Sequence, residues 1–246
     1  MAAVAGASPA ERLAAFEGET LVPRLSTLQL LNGGGPQNET LKRFLLSAPA
    51  NPSQLAGKRI AVVSADGVEE IEILAPIVSL RERGATVDLV APRYQPLSPT
   101  LGVQYPEQRK THILTTGFME NRSWVKIDRF LDQVHAEDYD AILIPGGAWN
   151  PDTLRTVPEA LSLVRQMNAQ GKVVAAICHG PLVLASAGIL KGRKATSYWS
   201  VQLDIQNAGA TVSDVPVVVD GNLITSRFPY DIPQLIEAIG QALTAK

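Results

Sequence analysis

Alternating apolar runs and amphipathic segments predict an α/β fold with a mostly parallel sheet covered on both faces. Three stretches carry that reading: R-I-A-V-V-S-A at 59–65, D-A-I-L-I-P-G-G at 140–147, and K-V-V-A-A-I-C-H-G-P at 172–181. Each is a short, continuous apolar run that stops at a turn. That is the pattern of a strand buried on both faces rather than a half-exposed one. The third run also holds the only cysteine of the chain, Cys178, at its carboxyl end. His179, Gly180 and Pro181 follow it, so the cysteine is predicted on a strand-to-helix elbow.

Length and composition fit this class. A chain of 246 residues with 46% hydrophobic residues can bury a sizeable core. Charges nearly cancel, with 22 basic against 24 acidic residues. No basic run stands out, so nucleic acid and anionic membrane are not expected partners. A single cysteine excludes an intramolecular disulfide and any cysteine-rich metal site. The Ala-rich start lacks a basic region before an apolar core, and the apolar run 173–190 is broken by His179, Gly180, Pro181, Ser186 and Gly188. A soluble, cytoplasmic protein is expected.

Residues 1–56 differ from the rest and are expected to form an extension with short helices, ahead of the α/β domain at 57–246. Ser8-Pro9-Ala10-Glu11 fits a capping box for a helix to about Phe16, N-G-G-G-P at 32–36 is a break, and Asn38 is placed to cap a helix from Glu39 to Leu46. In the domain, the strand at 59–65 leads through an acidic turn into a helix ending at Gly84. Ile71, Leu74, Ala75, Val78 and Leu80 are assigned to its buried side, and Thr86–Ala91 is the next strand. Residues 92–127 read as irregular because of Pro92, Pro96, Pro99 and Pro106, and Asp128–His135 reads as a short helix. After the strand at 140–147, Pro151 opens a helix that pauses at Pro158 and ends at Gly171. Beyond the elbow come a helix to Ala187, a short strand at Ala195–Tyr198, a helix at Ser200–Asn207, a hairpin of Val215–Val219 with Leu223–Ser226, and a last helix capped by Asp231.

Ligands of open parallel sheets bind at the carboxyl ends of the strands. Three such ends should meet here: the acidic turn at Glu69, the turn Gly146-Gly147, and Cys178. A cysteine at a helix N-terminus is expected to have a lowered pKa. A nearby protonated carboxyl can donate to its sulfur, and the backbone N–H groups of Gly147 and His179 can form an oxyanion hole. His179 directly follows the cysteine, and neighbours on a sharp turn seldom point at each other, so a Cys-His dyad is not implied by adjacency. His112 and His135 read as surface or satisfied histidines; Trp149, Tyr198 and Trp199 read as packing or pocket wall.

These motifs resemble the PfpI family of the class I glutamine amidotransferase-like superfamily, which also contains the Parkinsonism-associated deglycase. The resemblance rests on A-I-C-H-G-P, G-I-L-K-G-R-K-A-T-S-Y, N-A-G-A, A-D-G-V-E-E-I-E, L-I-P-G-G-A-W-N-P-D-T-L-R and V-V-V-D-G-N-L-I-T-S-R, in that family's order over about residues 57–244. It implies a flavodoxin-like three-layer sandwich and a homodimer or higher homo-oligomer. By motif match, Cys178 is the nucleophile, His179 the adjacent histidine, and Glu69 the acid that hydrogen-bonds the cysteine. Asp152 falls where some members place a glutamate that reaches the neighbouring subunit. The implied activity is of glyoxalase III or deglycase type on small aldehydes such as methylglyoxal, without a cofactor or metal. A cysteine peptidase acting on peptides, and a non-enzymatic redox or stress sensor using the same thiolate, are the alternatives.

Overall fold

The computed structural model describes Ser8 and residues 36–95, 105–118 and 120–245. Helix α1 (Pro36–Leu46) precedes β1 (Arg59–Val63), β2 (Val68–Glu69), α2 (Glu70–Glu82) and β3 (Thr86–Ala91). Then follow β4 (His112–Gly117), β5 (Glu120–Lys126), β6 (Arg129–Phe130), β7 (Ala141–Ile144), α3 (Trp149–Leu154), α4 (Pro158–Ala169) and β8 (Val173–Ile177). The chain ends through α5 (Pro181–Ser186), β9 (Lys194–Ala195), α6 (Gln202–Asn207), β10 (Thr211–Val212), β11 (Val217–Asp220), β12 (Leu223–Ser226) and α7 (Ile232–Thr244).

The three apolar runs become the centre of a seven-stranded sheet of order β11-β12-β8-β7-β1-β3-β6. Every pairing in it is parallel except β11 with β12. Side chains alternate between two cores. Ile60, Val62, Leu143, Ala175 and Ile177 face α2 and α7, whereas Ala61, Val63, Ile142, Val174 and Ala176 face α4, α5 and α6. This is a three-layer, flavodoxin-like sandwich. The chain leaves β1 toward β3 on one side and returns to β7 on the other. That reversal opens a crevice at the carboxyl ends of the central strands.

The described part of the extension is tied to this body. Leu41 of α1 and Leu55 are fully buried in the same core as Ile73, Leu235 and Ile239. The helix begins at Pro36, so Asn38 is a buried helical residue rather than the cap expected for it. The helix expected to reach Phe16 and the break at 32–35 lie outside the described residues.

Several expectations are corrected. The connection 92–127 is not irregular throughout: β4 and β5 form an antiparallel hairpin, and β2 joins it to make a second, three-stranded sheet. Its prolines are confined to the stretch before β4, while Thr, Ile, Trp and Val supply sheet-forming side chains to a surface buried on one face only. Asp128–His135 is not a helix. Asp128 N–H donates to Leu89 O at 2.9 Å and its carboxylate accepts from Leu89 N at 2.8 Å, which lays the segment beside β3 as β6. Short 3-10 turns follow at Leu131–Gln133 and Ala136–Asp138. The strand expected at Ala195–Tyr198 is reduced to β9, paired with β10. Asp231 stands at the N-cap of α7 but makes no cap bond, because its carboxylate pairs with Arg227 at 2.8 Å. The inner face of α2 is also rotated from the expected one: Leu74 and Val78 are exposed, while Glu72, Ile73, Pro76, Ile77 and Leu80 are buried.

Candidate active site

Cys178 directly follows β8 with φ +62, a left-handed backbone that non-glycine residues seldom adopt. Three backbone bonds hold the elbow: Cys178 N–H donates to Ser226 O (3.0 Å), Tyr198 N–H to Cys178 O (2.9 Å) and Gly180 N–H to Ile177 O (2.8 Å). Pro181 opens α5, where its missing N–H costs nothing. Gly180 is required by space, since a β-carbon there would meet Ile144 O of the neighbouring strand. The turn is thus fixed by β12 and β7 on either side.

The left-handed backbone makes the neighbours face each other after all. Nδ1 of His179 lies 3.2 Å from Sγ of Cys178, and Nε2 lies 3.3 Å from Oγ of Ser200. The imidazole stacks on Tyr198 at 4.9 Å between centroids. Burial lowers the His179 pKa, so the ring is held neutral near pH 7.

The acid against the sulfur is Glu72, not Glu69. Glu72 is fully buried on the inner face of α2 against the Cys178 side chain; its Oε2 accepts from Gly146 N–H at 2.8 Å. Oε1 is buried without a hydrogen-bond partner. Burial first, and the charge of Glu69 second, push the Glu72 carboxyl up to about 8. Glu69 ends β2 and turns outward to accept from Phe118 N–H at 2.9 Å. It still lines the same cavity, and its own pKa is raised, mainly by burial. The helical geometry explains the difference: Glu69 is the N-cap of α2, whereas Glu72 shares the face of Ala75, Pro76 and Ser79, which points into the molecule.

Gly146 and Gly147 make room for this packing. A β-carbon on Gly146 would lie 2.6 Å from both Cys178 Cβ and Glu72 Oε2. Gly147 has φ +77, and a β-carbon there would strike Gly67 O. The backbone N–H groups of Gly147 and His179, expected to hold an oxyanion, both point at the Cys178 sulfur and favour its thiolate. They are opposed. Burial, then the Glu72 charge, raise the thiol well above its ordinary value, contrary to the lowered pKa expected from the helix start. Below about pH 8 both groups are therefore neutral, and Glu72 is the first of the two to lose its proton as pH rises.

Asn150 is the other residue that sequence reasoning missed. Its side-chain amide donates to Pro145 O (2.8 Å) and Gly146 O (3.1 Å), and its oxygen accepts from Ala65 N–H (2.7 Å) and Ser64 Oγ (3.2 Å). It clamps the turn after β7 to the end of β1. Asp152, by contrast, is exposed in α3 and does not line the Cys178 cavity. That cavity has a volume of about 390 Å³. Among the described residues no cluster of three or more His, Cys, Asp or Glu side chains could hold a metal ion, and no helix is long and apolar enough to cross a membrane.

A buried sulfur on a strand-to-helix elbow, with a protonated carboxyl and a neutral imidazole beside it, defines a cysteine-nucleophile site on an α/β sheet. The chain belongs to the DJ-1/PfpI family, whose pattern matches residues 58–242. It is 36% identical over 174 residues to Deglycase TK1284 of Thermococcus kodakarensis, covering 71% of this chain and 92% of that one. It is 38% identical over 178 residues to General stress protein 18 of Bacillus subtilis, covering 72% and 92%. The solved structure of Drosophila melanogaster DJ-1beta superposes with a TM-score of 0.64 at 27% identity, covering 77% of this chain and 91% of that one.

Proposed function

We propose that the chain is a cysteine-dependent enzyme acting on reactive carbonyls, converting 2-oxoaldehydes such as methylglyoxal to 2-hydroxy acids. The observation that carries this reading is the Cys178 sulfur set between the Glu72 carboxyl and His179 Nδ1 at the wall of the cavity. The likeness to a protein named a deglycase supports the same substrate class.

The site's groups fit each step. His179, neutral, takes the thiol proton through Nδ1 while Nε2 rests on the Ser200 hydroxyl. The thiolate adds to the aldehyde carbon, forming a carbon–sulfur bond, and the new oxyanion takes a proton to give a hemithioacetal. The aldehyde hydrogen leaves as a proton and returns to the adjacent carbonyl carbon through an enediol. The first carbon is oxidised to a thioester and the second reduced to an alcohol, so no external oxidant or reductant is required. Glu72, protonated below about pH 8, supplies the proton donor, and His179 the base. Water then cleaves the thioester, and sulfur leaves with its proton restored. Conversion of methylglyoxal to lactate by wild type, and loss of at least about a hundredfold in kcat/KM in Cys178→Ala, is the expected result. Equal activity in the variant would overturn the proposal.

A further inference from the structure

Methylglyoxal leaves much of the Cys178 cavity unfilled. Methylglyoxal has only five heavy atoms and phenylglyoxal ten, whereas a single water takes roughly 30 Å³ in the liquid. The cavity measures about 390 Å³. One part of its wall is aromatic, while Glu69, Glu70 and Arg122 line another part. A continuous row runs from His179 through Tyr198, Trp199, Phe228 and Tyr230, with successive ring centroids 4.9, 5.3, 5.0 and 5.0 Å apart. All of these rings line the cavity.

The row is held in place. Arg227 stands 5.8 Å over the Trp199 ring and 5.6 Å over Phe228, yet does not itself line the cavity. Its guanidinium pairs with Asp214 at 3.0 Å and Asp231 at 2.8 Å, and Trp199 Nε1–H donates to Asp214 at 3.1 Å. A charge network outside the cavity therefore braces the rings whose other surfaces face into it. On a further part of the wall stands Leu41 of α1, which lies before the family-matched residues. Leu41 is itself fully buried, so it backs that wall rather than facing the cavity directly. Aromatic rings held rigid favour offset or edge contacts with a second ring.

We infer that the preferred substrates are 2-oxoaldehydes bearing an aromatic substituent, with the dicarbonyl at Cys178 and the ring against Trp199 and Phe228. This rests on the carbonyl-enzyme reading above and names the substrate class of that site. The chemistry balances as before: phenylglyoxal plus water gives mandelate, with the hydrogen shift internal to the substrate.

The test compares initial-rate kcat/KM for phenylglyoxal and methylglyoxal in wild type, Trp199→Ala and Phe228→Ala, with mandelate and lactate quantified directly and folding checked by thermal melts. Trp199 is 46% exposed, so its truncation leaves the core intact. Wild type is expected to favour phenylglyoxal by at least tenfold, and each variant to cut that ratio by fivefold or more. A wild-type ratio at or below one overturns the inference while leaving the carbonyl reading standing. A ratio that neither folded variant changes overturns the assignment of the ring to this wall. Turnover of neither aldehyde overturns the carbonyl reading and this inference together.

Discussion

Cys178 is the residue whose backbone and side chain are both unusual. A left-handed conformation costs an L-residue about 1–2 kcal/mol. Here its bonds to Ser226 and Tyr198, with the bond from Gly180 to Ile177 across the turn, hold it in place. The strain is what turns the sulfur toward Glu72 and His179. Cys178→Gly and Cys178→Ala should both be inactive, but denaturant unfolding should find the glycine variant at least as stable, by about 1 kcal/mol, because glycine adopts φ +62 without strain. A glycine variant less stable than the alanine variant would show that the elbow is not strained. The cysteine itself was legible in the sequence from the apolar run and the His-Gly-Pro that follows. Its acid was not. Glu69, Glu70 and Glu72 all sit at the start of α2, where acids are common for dipole reasons, and only the rotation of the helix decides which one enters the core. Assigning Leu74 and Val78 to the inner face placed that rotation wrongly. Reading Glu72 with Ala75, Pro76 and Ser79 as one stripe gives the observed face.

At the scale of elements, the central strands could be read because continuous apolar runs have one interpretation when bounded by turns. The β4–β5 hairpin could not, since a half-buried sheet with Thr, Ser and Asn on it resembles a loop in composition. The Asn150 clamp was invisible for another reason: its four partners come from the ends of β1 and β7, which meet only in the folded sheet. Helix α1 shows how an element beyond the family-matched region becomes part of the body. Leu41 is fully buried against α2 and α7 and also backs the wall of the Cys178 cavity. Leu41→Ala should destabilise the chain by about 2–5 kcal/mol, as large-to-small changes in a packed core do. A change under about 0.5 kcal/mol in denaturant unfolding would mean that α1 rests on the domain without belonging to its core.

On the scale of the whole molecule, the sheet order brings three strand ends to one crevice. β1 leads to α2 and Glu72, β7 delivers Gly146 and Gly147, and β8 delivers Cys178. No short sequence segment contains the site. The parallel order places it, and the two cores on either face of the sheet keep it rigid. The elevated Glu72 pKa follows from the same architecture, since the layer of α2 and α7 excludes water from the carboxyl. Glu72 then loses its proton only as pH rises through about 8, and a step that needs it as donor should fade over that range. The most direct measurement is the pH profile of kcat/KM for methylglyoxal in wild type, Glu72→Gln and Glu69→Gln. Wild type should decline on the alkaline side near pH 8. Glu72→Gln should lose about a hundredfold or more and lack that limb, while Glu69→Gln keeps the limb with a smaller loss. A Glu72→Gln enzyme that retains wild-type kcat/KM and the same alkaline limb would contradict the pairing of Cys178 with Glu72.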